Sequence, residues 1–157
     1  RHLSLLFTNK KSKIISMKAE SNIFFHSECD FDTEPVSNLD SWIKEAIANE
    51  QKTLGEINYI FCDDDYLLEK NQTYLNHDTY TDIITFDYSE ENSVSGDIFI
   101  SIERLKENAR KFAVPFDTEL RRVMIHGVLH LIGYKDKSDK EKKLMREKED
   151  FYLDEKM

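Results

Sequence analysis

The stretch RRVMIHGVLHLIGYKDK, Arg121 to Lys137, decides the fold. It sets His126 and His130 four residues apart among Val123, Met124, Ile125, Val128, Leu129, Leu131 and Ile132. So apolar a run predicts a helix, and residues i and i+4 of a helix share a face one turn apart. Two imidazoles placed that way can reach one metal ion. Gly133 is the residue expected where a helix stops in the left-handed conformation. The chain can then fold back and bring Asp136 toward the histidines. An i,i+4 histidine pair also occurs as two satisfied side chains on a half-buried helix. Here the imidazoles sit in an apolar helix, where burial is costly unless they are hydrogen-bonded or ligated. His126, His130 and Asp136 are therefore the expected metal ligands, with a fourth position left open, the pattern of a catalytic zinc site.

Outward from this helix, the rest of the chain reads as alternating strands and helices. Ile23-Phe24-Phe25 predicts a first strand. A helix is expected from Ser37, with Ser37 and Asp40 resembling a capping box. Leu39, Trp42, Ile43, Ala46 and Ile47 keep the stripe of a helix packed on a core. Gly55 is expected to end that region, and Glu56 to Cys62 reads as a strand rich in Ile, Tyr and Phe. Asp63-Asp64-Asp65 suits a helix N-terminus. Asp82 to Phe86 and Gly96 to Ser101 read as two strands joined by a polar loop, a hairpin or a lip beside a cleft. Ile102 to Val114 has helical spacing, with Leu105, Ala109 and Phe112 on one side and Pro115 as terminator. Asp117 or Thr118 is the expected cap of the histidine helix. Ser138 to Asp154 reads as a last helix with a solvated mixed-sign face and Leu144, Phe151 and Met145 as its contacts with the body.

The 157 residues predict one domain with a single core. Residues 1–20 read as a peripheral basic segment, and residues 21–157 as the folded domain. Arg1 stands where a Met would, so the first residues are read as a tag or an upstream extension, with Met17 a candidate start. The apolar patch Leu3 to Phe7 precedes the basic cluster Lys10, Lys11 and Lys13, the reverse of the secretory order. No run approaches the roughly 18 apolar residues of a membrane span. Cys29 and Cys62 form no C-x-x-C pair and no disulfide framework, so a reducing, cytoplasmic location is expected. The net charge of −9 argues against indiscriminate nucleic-acid binding but leaves room for a local basic groove.

HGVLHLIGYKD resembles the signature H-G-x-L-H-L-x-G-Y-D-H of the YbeY family, bacterial metal-dependent endoribonucleases of ribosomal RNA maturation. TDIITF resembles that family's T-D-V-L-S-F segment, and GDIFIS its G-D-I strand. The blocks agree in order and spacing, and with the helix and strand before them the resemblance covers roughly 130 residues. It implies an α+β, zincin-like single domain: a mixed β-sheet of about four strands packed with helices, with the metal site at the end of a central helix. It further implies one Zn2+ per chain on His126, His130 and Asp136, and single-stranded RNA as substrate. The implied role is endonucleolytic maturation of the 16S rRNA 3′ end and ribosome quality control at the small subunit.

Two departures from the family pattern bear on the site. Asp136 stands where the family usually has His. Carboxylate is a legitimate zinc ligand, but it leaves a divalent site at about +1 instead of +2. Two histidines and one carboxylate also suit non-haem iron. Leu75 stands where the family generally has an Arg, and His77 is proposed to replace part of that charge. Gly127 occupies the place where H-E-x-x-H peptidases carry their general base, which argues against a peptidase. Asp82 is a candidate base, but a strand-start aspartate ordinarily bonds nearby backbone N–H groups, so no protein general base is assigned. Arg121, Arg122, Lys135, Lys137, Arg104, Lys106, Arg110 and Lys111 are candidate phosphate contacts. Tyr74, Tyr80, Phe86, Tyr88 and Tyr134 are candidate stacking residues. Competing readings are a metal-dependent hydrolase of another substrate and a ribosome-associated RNA-binding protein with a structural metal.

Overall fold

A computed structural model describes residues 22–75 and 81–154. Four strands form one sheet: β1 (Ile23–Ser27), β2 (Thr53–Cys62), β3 (Ile83–Asp87) and β4 (Ser93–Ser101), in the spatial order β1-β2-β4-β3. The β1–β2 and β2–β4 pairs are parallel, and β3–β4 is an antiparallel hairpin. A 3-10 turn (Glu34–Leu39) leads into helix α1 (Asp40–Asn49). It is followed in chain order by α2 (Asp64–Leu75), α3 (Ile102–Phe112), α4 (Phe116–Ile132) and α5 (Asp139–Leu153). The α+β architecture with a four-stranded mixed sheet is the expected one.

Alternation along the strands splits the sheet into two faces. Ile57, Tyr59, Phe61, Ile98 and Ile100 are fully buried and face α1 and α4 in the main core. Cys62, Ile84 and Phe86 point the other way and pack with Leu67 of α2. Helix α4 is the hub, burying Leu120, Val123, Met124, Ile125, Val128, Leu129 and Leu131. The phenol of buried Tyr59 donates to the Met124 carbonyl at 3.0 Å, joining sheet to helix. Gly127 lies where α4 crosses the sheet. A Cβ there would stand 2.9 Å from Ile98 Cγ2 and 3.0 Å from Ile83 Cδ1. Gly96 of β4 is tighter still, since a Cβ would meet the Phe86 carbonyl oxygen at 2.5 Å and Leu131 Cδ2 at 2.7 Å.

Several boundaries differ from the sequence expectations, each for a local reason. Ser37 is no helix cap: its hydroxyl donates to the Glu34 carbonyl at 2.7 Å inside the 3-10 turn, and α1 begins only at Asp40. The reversal after α1 is made by Gln51 at φ 62°, so Gly55 lies inside β2, beside a register shift between Leu54 and Ile57. Strand β4 starts at Ser93, three residues before Gly96. Helix α3 ends when Ala113 turns left-handed at φ 54°, before Pro115 is reached. Pro115 itself caps α4, and neither Asp117 nor Thr118 does. In α5 the Ser138–Glu141 capping box forms, Met145 and Tyr152 are buried, and Leu144 is exposed. Both cysteines are free, and burial pushes the Cys62 thiol up to about 12.

One carboxylate fastens α5 to α1. Glu50 accepts from the Tyr134 phenol at 2.6 Å, from Lys148 at 3.1 Å, and from the Tyr152 phenol. Burial works against its charge, but these donors outweigh burial and hold Glu50 below the usual carboxylate range. A carboxylate held low stabilises the fold above its unfolded-state pKa, and that contribution disappears as pH falls through the lowered folded value. The stability gap between the protein and Glu50→Gln is therefore expected to be full near neutrality and to close in acid. Urea melts at pH 7 and pH 3 measure it; a gap of equal size at both would show that Glu50 acts by shape alone. Gly96→Ala is expected to cost about 1–3 kcal/mol through overpacking. That should lower the thermal midpoint by several degrees, and an unchanged midpoint would show that β3 and α4 can part at that point.

Candidate metal centre

The last two turns of α4 carry His126 and His130, one turn apart. Their rings stand at 76° with centroids 4.6 Å apart. The helix stops at Gly133, φ 124°, whose N–H and that of Tyr134 return to the His130 and Leu129 carbonyls. That left-handed stop turns the chain back along α4. The returning loop is tied at both ends, by Tyr134 to Glu50 and by the Lys137 N–H to Glu141 Oε1 at 3.2 Å. Asp136 lies between the two ties.

Three donor atoms converge as a result. His126 Nε2 and His130 Nε2 are 3.0 Å apart, and Asp136 Oδ2 is 3.3 Å from each. A tetrahedral ion with bonds of about 2.0–2.1 Å sets its ligand atoms roughly 3.3 Å from one another. The triangle has that size, and two imidazole nitrogens with one carboxylate oxygen are a zinc donor set. Among the described residues, these three form the one group of His, Cys, Asp and Glu side chains close enough to hold a metal ion.

Behind His126 stands Glu149 of α5. Its Oε2 lies 2.6 Å from His126 Nδ1, and its Oε1 accepts from Arg122 at 2.9 Å. Glu149 is 5% exposed, on a helix whose charges suggested a solvated face. Its carboxylate asks for the proton on Nδ1, which leaves the Nε2 lone pair for the triangle. This carboxylate–histidine arrangement is how metal-binding imidazoles are commonly oriented. Burial pulls the His126 imidazole down, but Glu149 foremost, then Asp136 and Asp82, outweigh burial and hold it above its ordinary range.

A cavity of about 300 Å³ opens beside the triangle, with Asp82, Asn108, Phe112, Glu119, Arg122 and Arg146 in its walls along with His126, Asp136 and Glu149. Asp82 accepts from the Asn108 amide at 3.3 Å, and its backbone carbonyl accepts from the Ser101 N–H at 3.0 Å. Burial first of all raises the carboxyls of both Asp82 and Glu119. A carboxyl shifted upward at a cleft is the direction that proton transfer needs.

The structure disperses most of the basic and aromatic candidates. Arg104 pairs with Asp64 at 3.0 Å, Arg110 with Glu107 at 2.5 Å, and Arg122 with Glu149 and Asp150. Arg121 lies over the Trp42 ring. Phe86 is buried, and Tyr134 is bound to Glu50. Leu75 closes α2, while His77 and Tyr80 lie outside the described residues. Sequence reading missed Glu149, Glu119, Phe112 and Arg146 as members of the site. The signal for Glu149 was its spacing from Met145 and Tyr152, which puts it on the buried side of α5. No described helix is long and apolar enough to cross a membrane.

Known proteins resemble this chain over most of its length. Residues 25–156 match the sequence model of the family described as Endoribonuclease YbeY. A relative of that name from Flavobacterium psychrophilum is 60% identical over 128 residues, covering 82% of this chain and 91% of the relative. A second, from Flavobacterium johnsoniae, is 54% identical, covering 82% and 92%. The solution structure of TM1509 from Thermotoga maritima is 34% identical, with a TM-score of 0.65, covering 84% of this chain and 87% of that one. The match over most of the chain, with the histidine helix inside it, means that this protein belongs to the endoribonuclease YbeY family.

Proposed function

We propose that this protein is a cytoplasmic, zinc-dependent, single-strand-specific endoribonuclease. It would act on ribosomal RNA at the 16S 3′ end and in quality control of the small subunit. The observation that carries the metal reading is the triangle of His126 Nε2, His130 Nε2 and Asp136 Oδ2, with sides of 3.0, 3.3 and 3.3 Å. The RNA substrate rests on family membership.

A zinc ion bound there supplies Lewis acidity toward water and toward a phosphoryl oxygen. The chain's own residues do the rest. Glu149 holds the His126 proton on Nδ1 and fixes the ring, and Arg122 neutralises the charge of Glu149. The Tyr134 and Lys137 ties hold Asp136 in place from either side. Asp82 and Glu119, raised by burial, are the carboxyls placed to hold or release a proton in the adjoining cavity. Gly127 packs against Ile98 and Ile83. A glutamate at that position would have to enter the sheet, so the general base of H-E-x-x-H peptidases has no room here.

Elemental mass spectrometry on the purified protein and on His130→Ala tests the centre. One zinc per chain, absent from the variant, is the expected result. Iron in its place, or no metal after reconstitution, would overturn the zinc reading. Cleavage of single-stranded but not double-stranded RNA, lost with the metal, is expected alongside; peptide or small phosphodiester turnover without RNA cleavage would favour another hydrolase. Glu149→Gln keeps the shape of the carboxylate but not its charge. It is expected to weaken zinc binding about 10- to 100-fold, as measured by competition with a chromogenic chelator. Unchanged affinity would show that the hydrogen bond to Nδ1 does not orient His126.

A further inference from the structure

Two residues at the cavity beside the triangle have chemistry that metal binding does not use. Phe112 is 54% exposed, with the Lys111 ammonium 5.9 Å from its ring centroid, although its position in α3 predicts a core contact. It sits on the last residue of α3, and Ala113 turns left-handed immediately after it. That turn carries the chain away from the ring and leaves it in the cavity wall with His126 and Asp136. Arg146, on α5, is the second. Its side chain is 61% exposed, and its one ion pair among the described residues is a long one, 3.9 Å to Glu149 Oε1. Arg122, by contrast, is committed to Glu149 and Asp150 at 2.9 and 2.8 Å. Arg146 also lines a second hollow of about 310 Å³, which shares His126 and Asp136 and adds Lys142 one turn back on α5.

An exposed aromatic face and a loosely held guanidinium bordering one cavity match the two repeating parts of a nucleic-acid strand, the flat base and the phosphate. We infer that Phe112 and Arg146 form a single-strand cradle, with Phe112 stacking on an unpaired base and Arg146, assisted by Lys142, holding a neighbouring phosphate. The inference rests on the endoribonuclease reading and names the residues that position its substrate. It also supplies a physical origin for strand selectivity. Inside a duplex both faces of a base are covered by neighbouring pairs, so only an unpaired base can lie on the ring. The guanidinium offers five N–H donors to phosphate oxygens. Beside it, Arg122 is already paired with Glu149 and Asp150.

The test is equilibrium binding of a labelled, single-stranded 2′-O-methyl oligoribonucleotide to the zinc-loaded protein, followed by anisotropy over a salt series, with steady-state RNA cleavage beside it. Phe112→Ala is expected to weaken binding about tenfold and raise KM more than it lowers kcat. The slope of log K against log salt should not change. Phe112→Trp restores affinity, and Phe112→Leu, apolar but without a π face, does not. Arg146→Ala is expected to reduce the salt slope by about 0.7, the loss of one phosphate contact with a single strand. Arg146→Lys recovers the slope. Phe112→Leu binding as tightly as the unaltered protein, or Arg146→Ala leaving the slope intact, would overturn the cradle while RNA cleavage by the unaltered protein left the endoribonuclease reading standing. If the unaltered protein neither binds nor cleaves single-stranded RNA, both are overturned.

Discussion

Helix α4 has to satisfy two opposed demands. Most of its surface is buried against the sheet and against α5, yet two of its residues must present polar nitrogens to one point. The geometry of the helix reconciles them. Residues four apart share an edge, so His126 and His130 can both lie where α4 clears the sheet while Val123, Met124 and Val128 stay inside. Gly127, between the histidines in sequence, lets α4 lie close to β4, since a Cβ there would stand 2.9 Å from Ile98 Cγ2. Much of the remaining fold serves to hold this one helix: Tyr59 through its phenol, Gly96 by making room for Leu131, and α5 by covering the flank that the sheet does not.

Placing a charge behind His126 raises a second difficulty. A buried carboxylate without partners costs several kcal/mol, more than most single contacts return. Glu149 avoids that penalty by being fully engaged, with one oxygen on His126 Nδ1 and the other on the Arg122 guanidinium. All three side chains thereby become mutually dependent. The ring is fixed by the carboxylate, the carboxylate is neutralised by the guanidinium, and Arg122 is further anchored by Asp150 at 2.8 Å. Helices α4 and α5 are joined at the site by these polar contacts, so the site and the packing of the last helix form one structural unit.

The convergence of His126, His130 and Asp136 was legible in the sequence because it is local. Helical spacing, a glycine stop and a short return loop determine where His126, His130 and Asp136 stand, and all three lie within eleven residues. Helix and strand identities were legible too, since apolar periodicity records which side meets the core. The boundaries were less so. Gln51 and Ala113 adopt positive φ without being glycine, and nothing in their residue types marks them as turning points. Tertiary partnerships were the least legible. Arg122 and Glu149 are 27 residues apart, and a charged helix looks solvated until the body it packs against is known. Phe112 is the converse case: an apolar residue at a core-like position left exposed by a turn that its neighbour makes.

The acidic composition seemed the strongest objection to an anionic substrate, and the structure shows why whole-chain charge decides little. At physiological ionic strength, exposed charges are screened over about 8 Å, so remote carboxylates scarcely reach the cavity. The local groups matter, and they are balanced. Arg122 offsets Glu149. Burial raises the carboxyls of Asp82 and Glu119, which shifts both toward the neutral form. Asp136 points at the centre of the triangle, where a divalent ion would more than cancel it. Arg146 and Lys142 stand at the rim beside Asp136 and Glu149, so that hollow carries cations and carboxylates in equal number. A chain of net charge −9 thus carries a locally balanced set of charges at this one hollow.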